Sequence, residues 1–336
     1  MSEVVVTDAA VVHPRELVAL APFSDRPAAK LAAVAADLTP LHATSGQVLM
    51  RQGEWADSFL LIVNGSAEIR QAGANRAAVA ADFTPGSVVG EIALLRHAPR
   101  MATVTAKDDL HGYLGYEPAF AALLEMPSVA AQLVRTARQR LAAFTDPVPI
   151  RARDGTELLL RPVLPGDSRR AAEGRSLFSS ETLYRRFLSV RRLTPEVITY
   201  LCEVDYIDHF AWVLLDEPAG PIVAGARYVR DQRDPALAEI AVTVGDAYQG
   251  RGIGTLLLGT LAATAQLAGI DRFHAHVLAD NWPSRALLDR WGAKWVCDGP
   301  GVLATTIGLS ALHETPPLAA PAGIHDAASQ LIAAFG

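Results

Sequence analysis

Glu239-Ile-Ala-Val-Thr-Val244 is followed, after a short turn, by Gln249-Gly-Arg-Gly-Ile-Gly254, and the apolar-rich stretch Ile253–Leu267 continues from it without a break. The first segment reads as a strand and the last as a helix. Glycines at 250, 252 and 254 let successive backbone amides turn toward the helix N-terminus, where free N–H groups and the positive end of the helix dipole hold an anion such as a pyrophosphate. Two better-known phosphate loops are excluded. A dinucleotide fold requires G-x-G-x-x-G, and Leu257 stands where its third glycine belongs; a Walker loop requires Gly-Lys-Ser/Thr, which is absent.

Outward from this loop the second half alternates between strand and helix. ELLLRPVL (157–164) is strand-like, 167–206 is polar and helical, and FAWVLLD (210–216) and IVAGARYVR (222–230) are strands joined by the turn EPAG. RFHAHVL (272–278) and a helix over Ser284–Trp291 complete a mixed α/β order. The first half has a different cadence. QVLMRQG, SFLLIVNG, SAEIRQAG, SVVGE and TVTAKDDLHGYLG are short β segments punctuated by glycine, preceded by a helix over Pro27–Leu38 and followed by one over Ser128–Phe144. Prolines in TDPVP (145–149) mark a linker. The expected fold is α+β and multidomain: an N-terminal β-barrel or jelly roll with flanking helices over 1–148, a mixed α/β domain over 149–312, and a tail over 313–336.

The densest motif of the first half runs from Phe83 through Gly90, Glu91, Ile92 and Ala93 to Pro99, Arg100, Met101 and Ala102. A cyclic phosphate needs one buried cation and several backbone donors. Arg100 supplies a charge-assisted fork, the helix opening at Glu91 supplies amides, and Gly90 lets the backbone come close. Glu91 fits a ribose hydroxyl, which needs an acceptor. The alternative is an internal Glu91–Arg100 ion pair in a domain without ligand. This stretch resembles the phosphate-binding cassette of cyclic-nucleotide-binding domains, and Gly46, Gly53 and Gly65 fit that family's turn glycines. The resemblance covers roughly 14–145 and implies that Gly90, Glu91, Ile92, Ala93, Arg100, Met101 and Ala102 hold the nucleotide; Ala102 favours cAMP over cGMP. Arg135 or Arg138 is a candidate to close over the adenine, or part of a solvated helix face.

The 249–254 loop resembles motif A of the GNAT acetyltransferases, and Asn281-Trp-Pro-Ser284 through Trp291-Gly292-Ala293 resembles their motif B. Ser179-Ser-Glu-Thr-Leu-Tyr-Arg-Arg-Phe187 resembles an early helix of bacterial protein lysine acetyltransferases. The resemblance implies an acetyl-CoA site built from Val242, Val244, Gln249, Gly250, Arg251, Gly252, Ile253, Gly254, Asn281 and Ser284, with Glu239 as general base. A surface role for Glu239 and a helix-capping role for Asn281 are the alternatives. The family's usual tyrosine acid is replaced by Leu288. His274 and His276 alternate on one strand face without a third metal ligand at suitable spacing, and they read as strand histidines, with no metal site. Arg185, Arg186, Arg191 and Arg192 are either a solvated face or a match for an acidic substrate.

Composition narrows the class. Among 336 residues, 50% are hydrophobic and 20% charged, with 30 Lys+Arg against 36 Asp+Glu, and each half carries a net −3. No basic face emerges, which argues against nucleic acid or an anionic membrane as partner, and against a helix-turn-helix regulator. Two cysteines, Cys202 and Cys297, are too few for a disulfide framework, so a cytoplasmic setting is expected. The two halves together resemble the cAMP-regulated protein lysine acetyltransferases of mycobacteria, which acetylate acyl-CoA synthetases and a universal stress protein. The expected function is cAMP-regulated acetyl transfer to lysines of protein substrates, with a small-molecule amine acceptor or a catalytically dead sensor or scaffold as alternatives. The tail's apolar stripe, Ile324, Ala327, Ala328, Leu331, Ile332 and Phe335, must be buried somewhere, either as an autoinhibitory lid over the substrate cleft or packed on the back of the domain.

Overall fold

The computed structural model describes residues 5–6, 11–72, 82–188, 194–309 and 323–335. The chain divides into two compact units, essentially residues 1–137 and 138–334.

The first unit contains β1 (Val5–Val6), α1 (Pro14–Val18), α2 (Ala32–Ala36), β2 (Leu38–Ala43), β3 (Val48–Met50), β4 (Ser58–Asn64), β5 (Ala67–Arg70), β6 (Asp82–Phe83), β7 (Val88–Val89), α3 (Glu91–Leu95), β8 (Thr103–Ala106), β9 (Leu110–Tyr116) and α4 (Glu117–Leu124). Its strands form two sheets, in the orders β1-β2-β9-β4-β7 and β3-β8-β5-β6. The expected barrel or jelly roll is met by a sandwich of two sheets, not closed into a barrel among the described residues. Phe59, Leu61, Val88 and Tyr113 from the first sheet pack with Leu17, Phe23, Leu31 and Phe120 from the helical segments in one apolar core. The helix expected over Pro27–Leu38 is shorter: a 3₁₀ turn over Ala28–Leu31 leads into α2, and the chain is already a strand at Leu38.

Helix α5 (Pro127–Phe144) follows, and then β10 (Val148–Arg151), β11 (Glu157–Pro162), α6 (Ser168–Glu173), α7 (Ser180–Phe187), α8 (Pro195–Cys202), β12 (His209–Leu215), β13 (Ile222–Arg230), β14 (Leu237–Val244), α9 (Ile253–Leu267), β15 (Arg272–Leu278), α10 (Trp282–Asp289), β16 (Val296–Cys297), β17 (Val302–Gly308) and α11 (Ile324–Ile332). The strands form one sheet in the order β10-β11-β12-β13-β14-β15-β17-β16. Every residue of β12 is buried, which explains its nearly unbroken apolar run. Helix α9 buries Leu257, Leu258, Leu261 and Ala265, and Trp212 of β12 donates from Nε1 to Thr264 Oγ1 at 2.9 Å.

All neighbours in this sheet are antiparallel except β14 and β15. These two pair in parallel over only three positions, Leu237 to Glu239 against Arg272 to His274. Beyond Glu239 they have no ladder, although β14 continues to Val244 and β15 to Leu278. The sheet therefore opens into a gap whose apex is Glu239 and whose far end is the glycine loop.

The stripe read from the tail is buried at Ile324, Ala327, Ala328, Leu331 and Ile332, where α11 packs on α9. Residues 310–322 lie outside the described ones, as do Arg191 and Arg192. Among the described residues, no helix is long and apolar enough to cross a membrane, and no group of three or more His, Cys, Asp or Glu could hold a metal ion. Cys202 is buried and Cys297 exposed, and both are free thiols.

Candidate active site and candidate nucleotide cassette

In the first unit, Gly90 caps α3 with φ +92°, a left-handed conformation that a side chain strains. A Cβ built there would stand 2.5 Å from Arg100 Nη1 and 2.9 Å from Met50 Cε. Arg100 is 7% exposed and Glu91 1%. The guanidinium is fixed by backbone oxygens: Nη1 donates to Gly90 O at 3.0 Å, and Nη2 to Ser58 O at 2.6 Å. Burial lowers the Arg100 pKa, with Asp57, Glu91 and Glu54 opposing the shift. Ile92, Ala93 and Ala102 are buried, and Met101 Sδ lies 3.6 Å from Arg96 Nη1. The structure thus brings the cassette residues together. Arg138, in the second unit, donates from Nε to Leu331 O of α11 at 3.3 Å.

In the second unit, Gly252 caps α9 with φ +82°, and a Cβ there would stand 2.8 Å from Arg153 Nε. Gly250 also has positive φ, at +75°, with open space beside it, and Gly254 lies in the first turn of α9. Ile253, the first helical residue, is buried. The side chains of this loop are turned to its support. Gln249 Nε2 donates to Val244 O at 3.1 Å and to Asp246 Oδ1 at 3.2 Å. Arg251 is held by Asp154 at 3.0 Å, by Thr156 Oγ1 at 3.0 Å and by Ala247 O at 2.6 Å. The Gln249 and Arg251 side chains are thus both engaged in holding the loop.

The Ser179–Phe187 segment gains a physical meaning here. Ser179 caps α7, and its backbone N–H donates to Asp246 Oδ2 at 2.8 Å, while the Thr182 hydroxyl donates to Asp246 Oδ1 at 2.5 Å. These bonds hold the Asp246 carboxyl below its usual range and tie α7 to the glycine loop.

Glu239 sits at the apex of the gap with its carboxylate largely exposed. The pairings Val229↔Glu239, Arg227↔Ala241 and Glu239↔His274 put Arg227, Glu239, Ala241 and His274 on one sheet face, with His276 two residues further along. Val242 and Val244 alternate to the opposite face. The two histidines read as ordinary strand residues are drawn into the site. His276 Nδ1 lies 3.6 Å from Glu239 Oε1, and its Nε2 lies 3.0 Å from Asp298 Oδ2 and 3.3 Å from His274 Nε2. His274 Nδ1 contacts Thr306 Oγ1 at 3.0 Å. Burial, with the neighbouring His276, lowers the His274 pKa. Asp298 gave no signal in the sequence, because its approach depends on the β15–β17 register rather than on any local motif.

On the next helix, the Asn281 side chain accepts from Ser284 N–H at 3.3 Å, which makes it the N-cap of α10. Ser284 is half-buried, and Leu288 is part of the apolar core. Burial pushes the Cys202 thiol up to about 11, which fits a structural role for it.

Comparison with known proteins gives two family matches: the cyclic nucleotide-binding domain over residues 40–125 and the acetyltransferase (GNAT) family over residues 180–293. The chain is 47% identical over 305 residues to acetyltransferase Pat of Mycolicibacterium smegmatis, covering 91% of this chain and 92% of that protein. Among solved structures, a cAMP-binding acyltransferase from Mycobacterium smegmatis is 42% identical, with 96% of this chain and 98% of that one covered and a TM-score of 0.49. The GNAT domain of S. lividans PAT is 29% identical over 48% of this chain and 96% of that one, with a TM-score of 0.45.

Proposed function

Because this chain belongs to the family of Pat-type acetyltransferases, in which a cyclic nucleotide-binding domain accompanies a GNAT domain, we propose that it transfers acetyl groups from acetyl-CoA to the ε-amines of protein lysines under control of cAMP. The observation that carries the reading is the position of Glu239, at the apex of the β14–β15 gap that ends in the glycine loop.

A lysine amine with pKa about 10.4 is almost wholly protonated at pH 7, so exposing its lone pair costs about 4–5 kcal/mol before attack on the thioester. Glu239 is the base that takes this proton, directly or through water. His276 stands behind it and offers the next site for the proton, with Asp298 on the far side of the ring. Glycines 250, 252 and 254 and Ile253 present amides to the pyrophosphate, while Gln249 and Arg251 keep the loop in that shape. Along the gap, the free edge of β14 around Val242 and Val244 offers amides to the pantetheine arm and the thioester carbonyl. Asn281 and Ser284 close the other wall. With Leu288 in the core, a thiolate leaves without a tyrosine acid from α10.

In the first unit, Arg100 and the Gly90–Ala93 turn are assigned to the cyclic phosphate and Glu91 to the ribose, with Met101 and Ala102 beside them. We assign 1–148 as the regulatory domain and 149–312 as the transferase. Mass spectrometry of lysine acetylation in a protein extract, with acetyl-CoA and with or without cAMP, tests the whole reading. Stimulated lysine acetylation supports it, and its absence under both conditions overturns it. Truncation after Leu312 tests the tail: a lid predicts higher transfer without cAMP, whereas a purely structural α11 predicts lower stability.

A further inference from the structure

Beneath α6, α7 and α8 lies a cavity of about 130 Å³. Phe178, Leu183 and Phe187 give it an apolar wall, yet Arg175, Arg186 and Arg227 also line it, and among the described residues no acidic one does. Ala241 and Thr243 form part of the same wall, and both share a sheet face with Glu239, so the cavity continues the acceptor side of the site.

Among the described residues Arg227 has neutral neighbours at hydrogen-bond distance: Nη1 donates to Leu201 O at 2.9 Å and meets His209 Nε2 at 3.0 Å. Arg186 lies 4.8 Å from the Phe187 ring centre. Among the described residues neither forms an ion pair. Burial lowers both guanidiniums to about 10; the charge on Arg186 adds to the shift at Arg227, and Glu239 opposes the shift at Arg186. Both guanidiniums are half-buried, and two cations that repel one another on an apolar-walled cavity favour an anion between them; a carboxylate matches the guanidinium fork.

We propose that this cavity is the subsite for a carboxylate carried by the acyl acceptor: the acidic side chain of a residue next to the acceptor lysine, or the acid group of a small amine. The inference rests on the acetyltransferase reading for its place in the reaction. Its test uses the full chain with acetyl-CoA and cAMP, and two peptides that differ only in Glu or Gln beside the acceptor lysine. The expected kcat/KM favours the Glu peptide by about tenfold, through KM, and Arg186→Gln brings the ratio to about one. Equal kcat/KM for the two peptides with the unmodified protein overturns the proposal. Comparing 4-aminobutyrate with butylamine distinguishes the sources: preference for the amino acid with no peptide acetylation retains the subsite and removes the protein-lysine reading. Glutarate supplies a readout without turnover. A thermal shift that Arg186→Gln abolishes supports the subsite even if no acceptor is acetylated, and no shift with the unmodified protein overturns it.

Discussion

Arg100 donates a 3.0 Å hydrogen bond from Nη1 to the carbonyl oxygen of Gly90, while a Cβ on Gly90 would stand 2.5 Å from that same nitrogen. The turn and the cation are thus fitted to one another. Gly90→Ala moves the guanidinium as well as straining the backbone, and Arg100→Gln removes the cation. Either change is expected to weaken cAMP binding by about 10- to 100-fold, the worth of one or two charge-assisted hydrogen bonds. Calorimetric titration, with circular dichroism to verify the fold, measures it.

Glu239→Gln is expected to lower kcat by about 10²- to 10⁴-fold with acetyl-CoA binding retained, because it removes the proposed base without altering the loop. His276→Ala is expected to cost less and to change the pH dependence of kcat. Rates across pH for both variants, with acetyl-CoA titration, check the pair. An unaltered profile in His276→Ala would assign that histidine to structure alone.

Arg161 and Asp167 form a buried bidentate pair, with Nη1 to Oδ2 at 2.6 Å and Nη2 to Oδ1 at 2.7 Å. The Asp167 carboxylate also accepts from Leu164 N–H at 2.7 Å, which fixes the entry to α6. Arg161→Met leaves that charge only its looser ion pair with Arg170, at 3.8 Å, and is expected to cost about 3–5 kcal/mol in thermal or denaturant unfolding. Replacing both partners with apolar residues is expected to recover much of the loss.

Burial, together with the Arg227 charge, lowers His209 to about 4. The unfolded chain therefore binds this proton first, near pH 6.5. The stability associated with neutral His209 is fully present above about 6.5, is lost as the pH falls from there toward 4, and levels off below. The loss is on the order of 3 kcal/mol. Urea midpoints measured between pH 4 and 7 are expected to show this slope, and His209→Asn to flatten it.

How much could be read beforehand differs between the two units for physical reasons. Helix α9 and strands β12 to β15 follow from local periodicity, since their apolar residues recur at helix spacing or lie buried between helices. The Glu91–Arg100 and 249–254 motifs are compact in sequence because each is built on a turn that opens a helix at a left-handed glycine. By contrast, β10, β16 and β17 carry little local signal. β10 and β16 are short, and β17 has meaning only through its pairing with β15. The meeting of His276 with Asp298, and of Arg186 with Arg227, arises from strand register and helix packing over long separations. Spacing along the chain carries no trace of either.

The separation of β14 from β15 after Glu239 has one further effect. It creates an edge strand in the middle of an eight-stranded sheet, where a protein ordinarily has none. Such an edge recruits any extended chain of amides able to reach it, and a pantetheine arm is one. On the proposed reading the acyl-CoA donor takes the place of a missing strand, and amide hydrogen exchange along 240–244 is expected to slow when acetyl-CoA is added and quicken when the product leaves.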